Sequence, residues 1–337
     1  MSHISLKDVA AKAGVSIPTA SKVLRGGGTV SAETRAAIVQ ASEALGYVPN
    51  EVARSLVSQK TSTIGVVVSD FGDVALSQIF VGACQEVDRQ GLSIVIGGVD
   101  PRGDHGMRHL RTLQERRVDG IVLLAPHLER ETRIAEMLHG PLPVVSTHPL
   151  IHKSFSWVGT NGIDTGRTPT EHLIALGHSR IGTITGKASR SVTQYRLLGY
   201  QQALEAAGIA FHPEWVEEAD WQIMGGYQAA RRLLERAPDL TAIYAQNDTM
   251  AVGVLSALRD LGVRVPEDLS VAGCDDIPLS AHLFPSLTTM HIPFGEMGEM
   301  TVKLLLDLIS QPSTEPQQIV LPTHLIARSS TSRCNTG

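Results

Sequence analysis

The chain has 337 residues, of which 42% are hydrophobic and 19% charged, as is typical of a globular protein of two or three domains. It carries a net charge of −5 at pH 7. No apolar signal segment and no run of about 18 apolar residues is present, so we expect a cytoplasmic protein that does not span a membrane. Its three cysteines, Cys84, Cys274 and Cys334, share no metal-ligand spacing, and an odd count argues against a disulfide framework.

The charge is distributed unevenly along the chain. Residues 1–60 contain seven Lys or Arg and four Asp or Glu, a net charge of +3, so the remaining 22 basic and 30 acidic residues give −8. A basic segment on an acidic body is typical of a protein whose head binds phosphates while its body does not. Because +3 is a small excess that can arise by chance, it supports a DNA-binding interpretation without establishing one.

Residues 1–46 predict three short helices. Gly14 follows a helical run of apolar residues as a stop signal. The second predicted helix, 17–24, has Pro18 in its first turn, where the missing N–H breaks no helical bond. A third helix, 31–45, supplies an apolar face. Two helices joined by a short turn and covered by a third predict a helix-turn-helix DNA-binding domain.

The second predicted helix has a composition that fits nucleic-acid contact. Short or basic side chains that can reach phosphates or base edges lie on its exposed positions: Ser16, Thr19, Ser21 and Lys22. This composition favours DNA binding over the alternative, an ordinary small helical bundle with the same caps.

Four segments of the first 60 residues carry a family resemblance: LKDVAAKAGVS, TASKVL, VSAETRAAI and LGYVPNEVARSL. They closely resemble the lactose/galactose repressor family of bacterial transcription regulators, and the resemblance continues more loosely to about residue 330. It implies a repressor that binds a palindromic operator in double-stranded DNA as a homodimer and responds to a small effector, a sugar or sugar acid. It also implies that Ile17 and Pro18 contact thymine methyls and that Lys22 donates to guanine.

Residues 47–60 predict a linker that contains a seven-residue helix, 51–57. Asn50 can cap this helix, and Ala53 and Leu56 share its apolar face. A helix of this length is marginal by itself in water, so we expect it to be ordered only when docked; the alternative is a solvated linker. The resemblance implies a hinge helix, with Leu56 as a wedge in the minor groove and Ala53 beside it.

From residue 61 the pattern changes to apolar strands that alternate with helices. Such strands predict parallel sheets covered on both faces, and two successive sets predict two doubly wound lobes with a cleft between them. The predicted strands are 64–68, 92–96, 120–125, 143–146, 180–185, 216–219, 242–245, 270–273 and 323–328. The predicted helices are 78–90, 106–116, 131–139, 162–176, 192–207, 225–236, 249–261 and 295–309.

The predicted fold is therefore an all-α helix-turn-helix head plus an α/β body. The resemblance implies a body of periplasmic-binding-protein type, residues 61–330, in which the chain crosses between the lobes three times. Lobe one would comprise about 61–160 plus 291–320, and lobe two about 161–290 plus 321–330. We expect residues 331–337 to form a disordered tail.

Ligands in open α/β sheets bind beyond the carboxyl ends of the strands, and in the second lobe these ends carry polar and aromatic side chains. One aromatic ring can pack on the apolar face of a sugar while Asn, Asp and Arg pair with its hydroxyls. A Trp at a strand end is as often part of a core, and Asp275-Asp276 can equally form a turn.

The resemblance implies effector-binding roles for Arg196, Trp221, Asn247 and Asp275, and places Arg190 and Gln194 in a loop that varies with the ligand. In the first lobe, Ser146-Thr147 stands where sugar-binding members often carry an aspartate, and Ile292 takes a place that is polar in the lactose repressor. The first lobe is therefore expected to offer an apolar and hydroxyl lining.

Other functional classes fit the sequence less well. His105 and His109 lie four residues apart, but the segment lacks the glutamate of the zinc-protease motif, and no GxSxG, phosphate-loop or dinucleotide motif is present. We therefore expect no catalytic residue, metal or cofactor. A transport-type sugar-binding protein would share the two-lobed body but not the DNA-binding head. A regulator that needs a co-repressor and responds to a non-sugar metabolite remains the alternative.

Overall fold

A computed structural model describes residues 4–24, 26–48, 60–98, 105–129, 142–149, 155–311 and 315–334. The chain divides into two compact units, residues 1–61 and 62–337. Within the described ranges, no helix is long and apolar enough to cross a membrane.

The first unit contains the three predicted helices: α1 (Leu6–Lys12), α2 (Ile17–Leu24) and α3 (Ala32–Leu45). Their inner faces meet around Ala10, Ala20, Val23 and Ile38. The Ser31 hydroxyl accepts a hydrogen bond from Thr34 N at 3.1 Å and so caps α3. Gly46 ends α3 with a left-handed φ of 60°.

One sheet of the second unit has the strand order β2-β1-β3-β4-β5-β11, and the pairings are parallel throughout. Its strands are β1 (Thr63–Val68), β2 (Ser93–Gly98), β3 (Gly120–Leu124), β4 (Val144–Ser146), β5 (Ser156–Thr160) and β11 (Gln318–Leu321). Among its described residues, the helices of this lobe are α4 (Val74–Arg89), α5 (His105–Glu115) and α10 (Phe294–Ser310). The strand β3 is buried along its whole length, as a central strand covered on both faces must be.

The other sheet has the corresponding order β7-β6-β8-β9-β10-β12, in which only the β10–β12 pair is antiparallel. Its strands are β6 (Ile181–Thr185), β7 (Val216–Glu218), β8 (Ala242–Ala245), β9 (Ser270–Asp275), β10 (Thr288–His291) and β12 (His324–Ile326). Its helices are α6 (Gly162–Ala175), α7 (Ser191–Ala206), α8 (Ile223–Arg236) and α9 (Asp248–Asp260). The predicted fold class, a helical head plus two doubly wound lobes, is confirmed.

The chain passes between the two sheets three times: after β5, after β10 and after β11. Strands β5, β10 and β11 were not among those that the sequence predicted. Helix α4 begins four residues earlier than predicted, because Asp73 caps it by accepting from Leu76 N at 3.1 Å. The predicted helix 131–139 lies outside the described residues.

The expectation of a disordered tail after Ser330 is wrong for residues 331–334. The Ser330 side chain is fully buried and donates to Val271 O at 2.6 Å. Beyond it, Ser332 N donates to Ser270 Oγ at 3.1 Å, and Cys334 N donates to Leu176 O at 2.9 Å. These bonds tie the segment to the second lobe, which a reading of polar composition alone does not reveal.

Helices α6 and α7 approach each other through two glycines. A Cβ at Gly199 would lie 2.0 Å from Ile163 O, and a Cβ at Gly166 would lie 2.0 Å from Arg196 O. Because real atoms do not approach so closely, both positions require glycine at this separation. The close approach fixes α7, which carries Arg196, against the rest of the lobe.

We expect Gly199→Ala to destabilise the protein by about 1–3 kcal/mol, because the added methyl group must push α6 and α7 apart. The matched control is Gly295→Ala in α10, where a new Cβ meets nothing within 4 Å and helix propensity favours alanine by up to about 1 kcal/mol. Urea unfolding of the two variants measures the difference. Equal midpoints for both variants would contradict the close-packing account.

Candidate functional site

A cavity of about 420 Å³ lies between the two lobes of the second unit. This volume falls within the range of small-molecule sites, which is roughly 300–1,000 Å³. The first lobe contributes Asp73, Leu76, Ile79, Glu129, Thr147, His148, Trp157, Phe294 and Met297 to the lining. The second lobe contributes Arg190, Ser191, Tyr195, Arg196, Trp221, Asn247 and Asp275.

A buried ion pair joins α7 to the end of β9. Arg196 Nη2 donates to Asp275 Oδ1 at 3.2 Å, and the two residues are only 6% and 7% exposed. Arg196 Nη1 also donates to the backbone oxygen of Gln246. Burial raises the pKa of the Asp275 carboxyl, because desolvation disfavours its charged form, while the charge of Arg196 opposes that rise. The structure thus brings together two of the predicted effector residues at the cavity.

Asp275 adopts a backbone conformation that side chains rarely occupy, with φ of 126°. Its neighbour Asp276 points away from the ion pair and accepts from Arg328 Nη2 at 2.6 Å, with His291 Nδ1 at 2.9 Å from its other oxygen. Below this turn, the buried Asp248 accepts from Ile277 N at 3.1 Å. These contacts hold the strained turn, so that the Asp275 carboxylate remains at the cavity.

Trp221 lies beside the ion pair and is also strained, with φ of 73°. The Arg196 guanidinium carbon is 6.0 Å from its ring centroid. A Cβ at Gly186 would lie 1.9 Å from Trp221 Cε2, so only glycine leaves room for the indole there. The ring therefore has a fixed place against the cavity, as a sugar-stacking surface requires.

Asn247 lines the cavity, but both polar atoms of its side chain make hydrogen bonds within the protein. Its Oδ1 accepts from Met250 N at 2.8 Å and so caps α9, while its Nδ2 donates to Trp221 O at 3.2 Å. The residue thus positions the backbone of Trp221.

The two residues that the sequence places in the variable loop, Arg190 and Gln194, have different positions in the structure. Arg190 precedes α7 and lines the cavity. Burial lowers the pKa of its guanidinium, an effect that the carboxyl groups of Glu129 and Asp73 oppose. Gln194 is exposed, lies outside the cavity lining and donates to Ala188 O at 2.9 Å. Its role in the effector site therefore stays a prediction that the cavity lining does not support.

Glu129 makes a hydrogen bond between the lobes that the sequence did not indicate. The residue follows β3 of the first lobe and is 6% exposed, yet its Oε1 accepts from Ser191 N at 2.6 Å. Ser191 is the first residue of α7, in the second lobe. A first-lobe carboxylate thus occupies the N-terminus of a second-lobe helix.

Apart from Asp73 and His148, the rest of the first-lobe wall is mainly apolar, aromatic and hydroxyl-bearing, with Thr147, Trp157 and Ile292 among its members. Sequence reasoning missed Trp157, because strand β5, which carries it, was not predicted. It also missed His148, which lies two residues beyond β4. Ser146 Oγ accepts from His148 N at 3.2 Å and lies 3.2 Å from its Nδ1. Burial lowers the pKa of His148 to about 3, so its imidazole is neutral at pH 7.

In the first unit, helix α2 presents the side chains that the sequence singled out. Ser16, Ile17, Pro18 and Lys22 are exposed, and Thr19 and Ser21 are half-buried. Ser16 Oγ accepts from Thr19 N at 3.3 Å at the start of the helix. The hinge candidates Asn50, Ala53 and Leu56 lie outside the described residues.

Comparison with known proteins agrees with this architecture. Residues 5–50 match the family of bacterial regulatory proteins described as the lacI family, and residues 170–331 match a periplasmic binding protein-like domain. The regulator CelR of Thermobifida fusca is 38% identical over 338 residues, which cover 97% of this chain and 98% of the relative. The ribose operon repressor of Escherichia coli strain K12 is 33% identical over 328 residues, with 97% and 99% covered.

Two solved structures extend the likeness over the whole chain. A lac repressor dimer bound to operator and an anti-inducer is 31% identical, with a TM-score of 0.88, and 98% of this chain and 100% of that chain are covered. A CelR–cellobiose complex is 35% identical, with a TM-score of 0.75, and 97% and 99% are covered. A DNA-binding head thus precedes a two-lobed body that encloses a cavity between its lobes. The chain belongs to the lacI family of bacterial regulatory proteins and is a DNA-binding transcription regulator controlled by a small effector, not an enzyme.

Proposed function

We propose that the protein is a cytoplasmic repressor that binds a palindromic operator as a homodimer and releases it when a sugar binds between the lobes. The observation that carries this proposal is the buried Arg196–Asp275 pair beside the fixed indole of Trp221. A carboxylate and a guanidinium pair with hydroxyls on adjacent carbons, while the indole packs against the apolar face of a sugar ring. The CelR–cellobiose complex and the similarity to a ribose operon repressor support this ligand class.

The two lobes have different parts in this proposal. Arg196, Trp221 and Asp275 of the second lobe anchor the ligand, Asn247 holds the backbone of Trp221, and Arg190 also lines the site. The first lobe closes over the ligand with apolar and aromatic side chains. A ligand that contacts both lobes stabilises one lobe arrangement over another. It can change operator affinity only by this difference in its affinity for the two arrangements.

In the head, we assign DNA reading to α2. Ile17 and Pro18 offer apolar surface to thymine methyls, and Lys22 donates to guanine O6 or N7 in the major groove. Ser16, Thr19 and Ser21 contact phosphates or base edges. From the family resemblance we also propose DNA contacts for Asn50, Ala53 and Leu56, with Leu56 entering the minor groove.

Replacing Asp275 tests the effector site. We expect Asp275→Asn to weaken sugar binding by about 10- to 100-fold, because a charge-assisted hydrogen bond is worth roughly 1.5–3 kcal/mol. Operator binding without sugar should stay at the parent level, since Asp275 belongs to the body rather than to the DNA-binding head. Fluorescence anisotropy with a labelled operator, titrated with sugar, measures both quantities.

The matched control for this experiment is Asp239→Asn, at an acid whose side chain is 64% exposed. Thermal unfolding of both variants checks that the Asp275 variant remains folded with Arg196 left unpaired. A folded Asp275 variant that releases operator at the parent's sugar concentration would remove Asp275 from the site. A sugar that strengthens operator binding would instead establish co-repression.

Replacing Lys22 tests DNA reading. We expect Lys22→Ala to cost about 1–3 kcal/mol of operator affinity and to relax the preference at one base pair in each half-site. Selection from a random DNA library shows the preference directly. Lys12→Ala, at an exposed lysine in the last turn of α1, is the control and should keep the parent's motif. An unchanged motif for the Lys22 variant would mean that Lys22 does not read bases.

A further inference from the structure

The N-terminus of α7 has the features of an anion-binding site. A helix N-terminus exposes unpaired backbone N–H groups and carries a partial positive charge, which together favour carboxylates and phosphates. Here the first such N–H belongs to Ser191, and Arg190 immediately precedes it. Both residues line the cavity, so an acidic ligand would be drawn to this corner if it were open.

The protein fills this corner with its own carboxylate. Glu129 reaches across from the first lobe, and its Oε1 accepts from Ser191 N at 2.6 Å. The residue is 6% exposed, so it is held in the cavity wall and does not sit in open solvent. The charges of Glu129 and Asp73 also act on Arg190: they oppose the lowering of its guanidinium pKa by burial.

The second arginine of the cavity, Arg196, makes a direct ion pair. Arg196 donates to Asp275 at 3.2 Å. The described lining therefore holds three carboxyl groups, those of Asp73, Glu129 and Asp275, against two guanidinium groups, and the imidazole of His148 is neutral at pH 7. An anionic ligand would have to displace one of these carboxylates or lie beside it, and either arrangement is unfavourable in a partly desolvated site.

The remaining walls suit uncharged rings. Each lobe contributes an indole, Trp157 from the first lobe and Trp221 from the second, and Tyr195 and Phe294 add further aromatic surface. Aromatic faces pack well against the C–H faces of sugars and need no charge on the ligand.

We infer that the effector is an uncharged sugar, and that Glu129 makes the site selective by occupying the anion-binding position at the start of α7. This inference rests on the proposed function and narrows it, because sugar acids and sugar phosphates are now excluded. Glu129 thus acts on specificity from the first lobe, although the anchoring contacts lie in the second.

Paired sugars test the inference on the full-length protein. The probes are glucose with glucuronate and glucose 6-phosphate, ribose with ribose 5-phosphate, and cellobiose with cellobionate. Isothermal titration calorimetry measures binding, and anisotropy with labelled operator measures release. In any of these sets that binds, the parent protein should bind the uncharged sugar at least about tenfold more tightly than its anionic counterpart. The reason is that the carboxylates of the cavity repel a negatively charged ligand.

Glu129→Gln keeps an oxygen that can accept from Ser191 N but removes the charge. We expect it to reduce the ratio of the dissociation constants of the anionic and uncharged sugars by on the order of tenfold, since Arg190 then becomes available to an anion. Glu129→Ala should reduce the preference for the uncharged sugar at least as much, because it also removes the oxygen that accepts from the N-terminus of α7. The control is Glu205→Gln, an exposed acid on the same helix, which should leave the preference unchanged.

The possible outcomes distinguish a failure of the selectivity inference from a failure of the proposed function. A parent protein that binds an anionic member more tightly and still releases operator contradicts this inference but leaves the proposed function intact. Equal changes in affinity for both members in the Glu129 variants would also overturn it, because a contact that only holds the lobes together affects both ligands alike. A parent protein that binds no member of the panel contradicts the proposed function as well.

Discussion

The buried ion pair between Arg196 and Asp275 is the interaction on which the rest of the site depends. A buried ion pair contributes little net stability, because the cost of removing two charges from water offsets their attraction. Apolar side chains of similar size would hold α7 against β9 at least as well. The pair is therefore better explained by ligand binding than by folding, since its polar groups contribute to affinity when they hydrogen-bond a ligand.

Much of the second lobe serves to hold this pair in place. The glycines at positions 166 and 199 let α6 approach α7 closely, and this approach sets the position of Arg196. On the other side, Asp248 and Asp276 hold the turn in which Asp275 adopts its strained conformation. Strained residues persist only where their surroundings over-determine them, and they cluster at functional sites. Trp221 is held in a similar way: Gly186 leaves room for its indole, and the Asn247 side chain donates to its backbone oxygen.

The sequence predicted the fold well where strands were long and apolar, and poorly where they were short and mixed. Strands β1, β3 and β9 are fully or almost fully buried runs and were foreseen. Strand β10, with the sequence TTMH, carries hydroxyl and imidazole side chains that do not resemble a core strand. Strand β11 is an edge strand with exposed positions, which weakens its apolar pattern.

The site could be predicted from the second lobe but not from the first. The family resemblance pointed to Arg196, Trp221, Asn247 and Asp275 through the sequence segments that carry them, and the structure places all four at the cavity. Gln194 lies two positions before Arg196, about 200° around the helix from it, and its effector role stays a prediction. Glu129 could not be foreseen, because its role depends on a contact with Ser191 that lies 62 positions away in the chain and in the other lobe.

The central claim is that sugar binding in the cavity and operator binding by the head are coupled. Coupling between two ligands is reciprocal, so its size can be measured from either side. The most direct test is the dissociation constant of an uncharged sugar, measured with and without saturating operator. The account predicts that operator weakens sugar binding by the same factor by which sugar weakens operator binding, a factor of roughly 5–150. A sugar affinity that is identical with and without operator would contradict it.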